Sequence, residues 1–348
     1  MTDVTSPEAA TAPTKRGRGE KSSATIYDIA KLAGVNPSTV SRALSKPGRV
    51  SAKTLKIIED AAEQLNYQVN PFARALPTGR TQTIGLIVAD ITNPTFFDII
   101  RGAETTGSTR GYTLVLAESA ESPQTEITAA RRLLSTVDGL ILASPRMDDD
   151  DIRTLAVDKP VVVINRRIDG VPCVVPDVDK GISEAVRSLA ANGHENLVYI
   201  AGPAQSWMTG RRWEGVRDAC EWSRIGAVRL ESSKPTVDGG RQVARKVVES
   251  GATAVITYND LLAIGLMQEL QAGGMRIPDQ ISIVGFDDIF GADFTTPALT
   301  TVRSRLGECG TRAVTILLDV LQGHDAPDQA VSIETELIVR GSSGRLLG

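Results

Sequence analysis

Residues 25 to 44 read TIYDIAKLAGVNPSTVSRAL, and no other stretch so narrows what the chain can fold into. Ile26, Ile29, Ala30, Leu32 and Ala33 recur at helical spacing, and Asp28 falls in the first turn, where a negative charge meets unpaired backbone amides. Gly34 ends that helix, Asn36 or Ser38 caps the next, and Pro37 is tolerated there because a first-turn amide has no internal acceptor. In the second helix Val40 and Leu44 face inward, while Ser38, Thr39, Ser41 and Arg42 leave a small hydroxyl-rich face that suits a flat, anionic surface. Two short helices joined by such a turn make a helix-turn-helix with a recognition helix. The competing reading, an ordinary helical hairpin, loses ground to what surrounds this stretch.

The net charge of −4 over 348 residues argues at first against a nucleic acid partner, but it averages unequal parts. From residue 15 to 80 there are twelve Lys and Arg against five Asp and Glu, a balance of +7; from 81 to 348 it is 26 against 35, or −9. A basic head on an acidic body binds a polyanion through the head alone. Cys173, Cys220 and Cys309 are few, widely spaced and odd in number, which fits buried apolar fillers in a reducing compartment and no metal knuckle. With no secretory pre-sequence or long apolar run at the start, the expected location is cytoplasmic, with no membrane partner.

Taken in order, residues 1–23 are rich in Thr, Ser, Pro, Ala and Gly and are expected to be a disordered basic tail. A helix-turn-helix domain follows over 24–69, closed by a third helix from Ser51 to Leu65, with Tyr67 over the core of Ile29, Leu32, Val35, Val40 and Leu44. NPFARALP, Asn70 to Pro77, has an Asn cap, a first-position Pro, a little over one turn of helix formers and a closing Pro. So short a helix is unstable alone, and 70–80 is expected to be a hinge helix and linker that orders on DNA.

Beyond Thr83 apolar runs of strand length alternate with helical segments, the pattern of parallel sheets wrapped by helices. A break near Val175 to Val178 divides an α/β domain over 81–340 into two lobes: about 81–177 plus 303–330, and about 178–302 plus 331–340, before a tail at 341–348. Ligands of such open sheets bind beyond the carboxyl ends of the strands. Asp90, Thr92, Asn93, Ser144, Arg146, Asn165, Arg166, Asn259, Asp260, Asp287 and Asp288 fall there, with Phe96 and Phe97 as apolar platforms and Arg212 opening a helix toward the same rim. Amides, carboxylates and a few arginines suit a small polyhydroxylated or heterocyclic ligand better than a polyphosphate. Asn93, Asp260 and Asp288 read equally well as helix caps. The chain has no nucleotide-cradling glycine loop, and His194 and His324 read as surface-turn residues, so no enzyme, cofactor or metal is expected; the Asp148 to Asp151 run reads as a solvated face.

Together TIYDIAKLAGVNPSTVSRAL, RVSAKTLKIIEDAAEQLNYQVNPFARAL, IGLIVADITNPTFFDIIRGAE, INRR, GRRWEG, TYNDLLAIG, ISIVGFDD and TPALTTV resemble the LacI/GalR family of transcriptional regulators from Thr25 to about Ile338. The resemblance implies a three-helix headpiece and hinge helix, then a two-lobed domain like the periplasmic binding proteins. It also implies a homodimer on a pseudo-palindromic double-stranded operator. It places base reading on Pro37, Ser38 and Arg42, and phosphate contacts on Thr39 and Ser41; Leu76 is the minor-groove wedge, and Thr25, Tyr27, Asn70, Ala73 and Arg74 complete the DNA-binding set. Effector contacts fall on Asn165, Arg212, Asn259 and Asp287, with Asn93, Phe96, Phe97, Arg146 and Ser304 added. Asn165 departs from the carboxylate of many sugar-binding relatives, and Pro37 from their usual polar residue. The expected effector is a sugar, polyol or nucleoside acting on a repressor; a purine-like corepressor is the alternative, and a solute-binding protein or sugar-modifying enzyme on the same fold the other class.

Overall fold

The computed structural model describes residues 24–45, 47–67, 79–232 and 234–347. The tail at 1–23 and the hinge positions Asn70, Ala73, Arg74 and Leu76 lie outside them. The chain divides into two units between Gly79 and Arg80.

In the first unit α1 (Ile26–Ala33), α2 (Pro37–Ser45) and α3 (Ala52–Gln64) close a small core. Thr25 caps α1 in a capping box: the Asp28 carboxylate accepts from the Thr25 amide at 2.8 Å and from its hydroxyl at 2.7 Å. Those bonds hold the Asp28 carboxyl below its usual range. Gly34 ends α1 at φ 65°, and the Ser51 hydroxyl caps α3 by accepting from the Thr54 amide. Ile29, Ala30, Val40, Ala43, Ile58 and Ala61 are buried, with Val35, Leu44, Leu55, Leu65 and Tyr67 half-buried around them. Leu32, expected in this core, is 47% exposed. At about 100° per residue it sits roughly 110° round the helix from the centre of the Ile26, Ile29, Ala30 and Ala33 stripe.

The second unit holds two six-stranded sheets. The first comprises β1 (Thr83–Val88), β2 (Thr113–Glu118), β3 (Gly139–Ala143), β4 (Val161–Ile164), β5 (Cys173–Asp177) and β11 (Val331–Glu334), in the order β11-β5-β4-β3-β1-β2, all parallel. Helices α4 (Thr95–Thr109) and α11 (Leu306–Leu321) share one core with it, and α5 (Pro123–Leu134) and α6 (Asp149–Asp158) another. The second sheet comprises β6 (Asn196–Ala201), β7 (Gly226–Glu231), β8 (Ala254–Thr257), β9 (Ser282–Asp287), β10 (Thr300–Arg303) and β12 (Glu336–Ile338), ordered β12-β10-β9-β8-β6-β7. Only β12 runs antiparallel in it. Helices α7 (Val178–Ala191) and α8 (Trp207–Ser223) pack in one core of this lobe, α9 (Val237–Glu249) and α10 (Asp260–Ala272) in the other.

The chain crosses between lobes after Asp177, after Arg303 and at Thr335. The last crossing corrects the expected boundary: residues 331–334 pair with β5, because Val331 to Glu334 register against Val174 to Asp177. Residues 341–347 are not a loose tail. Ser342 is fully buried and its hydroxyl donates to the Ile283 carbonyl at 2.6 Å, while its carbonyl accepts from the Ile283 amide. Nor is His194 a surface-turn residue: it is 1% exposed, with ring nitrogens 2.9 Å from the Thr253 and Ser282 hydroxyls. Burial lowers its pKa.

Candidate functional site

In each lobe the strand order reverses beside its first strand, between β1 and β3 and between β6 and β8. Beyond the carboxyl ends of such a pair the two loops part in opposite directions and leave a crevice. Several residues there leave their strands through left-handed backbone that L side chains rarely adopt: Ser144 (φ 58°), Asn165 (φ 65°), Asp287 (φ 103°) and Asp288 (φ 57°). Such conformations persist where the surroundings over-determine them, as at binding sites.

Asp287 ends β9 and is 7% exposed. Its Oδ1 accepts from Arg212 at 2.7 Å and from the Ser304 hydroxyl at 3.1 Å, and its Oδ2 from the Thr95 hydroxyl at 3.3 Å. Thr95 opens α4 in the first lobe, so this carboxylate bonds across the cleft. The Arg212 guanidinium, from α8, also donates to the Tyr258 carbonyl and lies 3.8 Å from the Phe286 ring centroid and 4.9 Å from that of Tyr258. Burial is the largest influence and opposes its charge, but the Asp287 carboxylate together with Tyr258 and Tyr199 moves its pKa up. A fully buried ion pair is costly to assemble, and removing one partner strands the other.

The first lobe supplies an amide and a second arginine. Asn165 donates to the Ser144 hydroxyl at 2.9 Å. Arg146, 7% exposed, pairs with Glu121 at 2.5 Å and donates to the Ser144 carbonyl at 2.8 Å. The buried Glu126 carboxylate holds the loop by accepting from the amides of Arg146 at 2.7 Å and Met147 at 2.9 Å; burial raises its pKa, against the pull of those bonds. Among the described residues five buried side-chain atoms lack a hydrogen-bond partner, and two of them, the acceptor Asn165 Oδ1 and the donor Arg212 Nε, belong to this constellation.

Other expected contacts are already committed. Asn259 caps α10, its Oδ1 accepting from Leu262 at 3.0 Å while its Nδ2 donates to the Pro235 carbonyl at 3.0 Å. Asn93 Oδ1 accepts from the Thr95 amide at 3.1 Å. Phe96 is 3% exposed and packs in a core with β1, whereas Phe97 is 39% exposed. Asp288 is clamped by Arg303 at 2.8 Å and Arg340 at 2.7 Å. In the acidic run Asp148 caps α6, and Asp149 and Asp150 pair with Arg166 and Arg153. Thr95, Glu121, Glu126 and Tyr258 were not singled out from sequence. Thr95 alone carried a signal, as the hydroxyl after Asn93-Pro94 at a helix start. A cavity of about 690 Å³ between residues 167–173 and 326–330 lies apart from this constellation.

In the first unit Ser38, Ser41 and Arg42 are exposed on α2, with Pro37 and Thr39 half-buried beside them, and Tyr27 on α1 is 69% exposed. Ser38 and Arg42, four residues apart, share a face of the helix. The Thr25 hydroxyl is engaged in its capping box.

Residues 25–70 match the bacterial regulatory proteins of the lacI family, and residues 81–339 the periplasmic binding proteins and sugar binding domain of the LacI family. The chain is 30% identical over 341 residues to the HTH-type transcriptional repressor CytR of Escherichia coli (strain K12), covering 95% of this chain and 99% of that protein. It is 31% identical over 324 residues to the ribose operon repressor of Halalkalibacterium halodurans, covering 91% and 96%. The lac repressor dimer bound to operator and the anti-inducer ONPF superposes with a TM-score of 0.83 at 26% identity, over 92% of this chain and 99% of that one. The chain belongs to the lacI family of bacterial regulatory proteins: it is a sequence-specific DNA-binding regulator under the allosteric control of a small molecule.

Proposed function

We propose that the chain is a cytoplasmic repressor that binds a pseudo-palindromic operator as a homodimer and is released by a small, uncharged, polyhydroxylated effector. The observation that carries the effector class is the charge balance of the cleft: Arg212 is matched by Asp287 and Arg146 by Glu121, while Asn165 Oδ1 and Arg212 Nε remain open. A ligand with neighbouring hydroxyls satisfies such a set, since each hydroxyl both donates and accepts; a phosphosugar brings charge that nothing there is free to meet. The ribose operon repressor among the relatives supports a sugar or nucleoside. The contact set is Asn165, Arg212, Asp287, Ser304, Arg146 and Phe97, with Asn93 and Asn259 holding the corners from which it projects.

Asp287 bonds both to its own lobe and to Thr95 of the other, so a ligand competing for it changes how the lobes are tied. That shift alters the spacing of paired first lobes in a dimer and hence the spacing of the DNA heads. The hinge expected at 70–76 lies outside the described residues. On the operator α2 enters the major groove, with Arg42 placed to pair with a guanine edge.

Thermal unfolding in ribose, galactose, inositol, cytidine and their phosphorylated forms tests the ligand class. A neutral member at a hundred times its Kd is expected to add about 2.7 kcal/mol of stability, with its phosphorylated form inert. Stabilisation by the phosphorylated forms alone contradicts the reading.

A further inference from the structure

Asp260 opens α10 and is fully buried, yet it neither caps that helix nor meets a cation in any described contact, because the cap of α10 is Asn259. We propose that Asp260 is a positioning residue for the effector site, bracing the turn at 287–289 so that the Asp287 carboxylate is presented to the cleft. The inference rests on the reading that Asp287 contacts the effector.

Two consecutive amides of the turn end on this one carboxyl. Ile289 donates directly to Asp260 Oδ2 at 2.8 Å. The Asp288 amide donates to the Thr301 hydroxyl at 3.3 Å, and that hydroxyl donates onward to Asp260 Oδ1 at 2.6 Å. The turn needs such support, because Asp287 and Asp288 both stand at positive φ without being glycine. β9 makes room for it: a Cβ at Gly285 would come within 2.0 Å of Asp260 Oδ1, so the strand admits the carboxyl only where it has no side chain. Asn259 and Asp260 are adjacent, so the corner that begins α10 and the corner that ends β9 are tied through a single residue.

The charged groups nearby are Asp287 and Asp288, themselves held by Arg212, Arg303 and Arg340. Burial first, and those two carboxylates after it, push the Asp260 pKa up to about 8. Placing an acid there is therefore costly, and the cost fits a brace on two amides better than incidental packing.

Hydrogen exchange at the amides of 288 and 289, read in the full chain, tests the brace without any ligand. Thr301→Val is expected to speed exchange at Asp288 by about tenfold or more, Asp260→Ala to do so at both amides, and Thr301→Ser to restore wild-type rates. Amides of Ile283 to Gly285 keep their protection in the Thr301 variants. Alongside, ribose and cytidine are titrated against the operator complex, where Thr301→Val is expected to weaken the response about tenfold, with rescue by Thr301→Ser. Wild-type exchange at Asp288 in Thr301→Val overturns the proposal, as does faster exchange with an unaltered ligand response. If the wild type answers neither these two compounds nor the other neutral sugars, polyols and nucleosides, the effector reading fails, and the exchange rates still decide the brace.

Discussion

The Asp287 carboxylate accepts from Arg212, Ser304 and Thr95, which come from one lobe, a crossing segment and the other lobe. The sequence set Asp287 apart from Asp288 only through its place after the strand and the family resemblance; in the structure Arg303 and Arg340 consume Asp288, while Asp287 bonds across the cleft to Thr95. Asn165 was legible as a residue following an apolar strand, but its open Oδ1 depends on Ser144, 21 positions away. His194 was misread for a related reason: ANGH looks like an exposed turn, and its ring is instead buried against Thr253, Ser282 and the chain end at Gly344. Its lowered pKa makes a prediction with a definite sign. A depressed histidine stabilises the fold above its unfolded value, about 6.5, and that contribution is lost as pH falls through the folded value. The difference in melting temperature between the wild type and His194→Gln is expected to shrink as pH is lowered from about 7.5 to 5; a constant difference would contradict the assignment. On α2, Arg42→Ala is expected to lose about 1 to 3 kcal/mol of discrimination at one operator base pair, measured by binding to single-substituted operators. An equal loss on every sequence would make Arg42 a phosphate contact.

Elements announced by long apolar runs or by end signals were legible: α1 by Asp28 and Gly34, α3 by Ser51, and β3, β4 and β8 by unbroken apolar stretches. Those whose partners lie far along the chain were not. β11 and β12 are short strands, the first with exposed positions and the second half-buried throughout, and each chooses its sheet by pairing with a strand at least 30 residues distant. α6 was hidden behind four aspartates, which serve as its cap and first turn. Helix–helix packing also escaped the sequence, although glycines record it. α4 and α11 approach so closely that a Cβ at Gly102 would stand 2.1 Å from the Gly307 carbonyl oxygen, and one at Gly310 would stand 2.2 Å from that of Ile99. Gly102→Ala must push two helices of the first lobe apart and is expected to cost about 1 to 3 kcal/mol by chemical denaturation. A change within about 0.5 kcal/mol would show that the interface relaxes freely.

At the scale of the molecule, a basic head and an acidic body are joined through residues 70–80, and three crossings link two lobes whose strand ends face one cleft. The head is expected to supply most of the phosphate attraction, so operator affinity should fall steeply with salt while effector affinity does not; comparable salt slopes for both would place charge at the effector site. The architecture was legible in the sequence because α/β alternation and the helix-turn-helix are local patterns. The lobe boundary at 331–334 was not, because it is set by pairing with β5. The cleft around Asp287 is proposed to govern DNA binding. The most direct test is operator binding at fixed salt by the full-length protein and by Asp287→Ala, with and without ribose, cytidine and other neutral sugars, polyols and nucleosides. The prediction is that one of these compounds weakens the wild-type complex by at least about tenfold, a shift of roughly 1.4 kcal/mol, and leaves the variant's complex unmoved. An equal response from the variant, or none from the wild type across the panel, would contradict the claim.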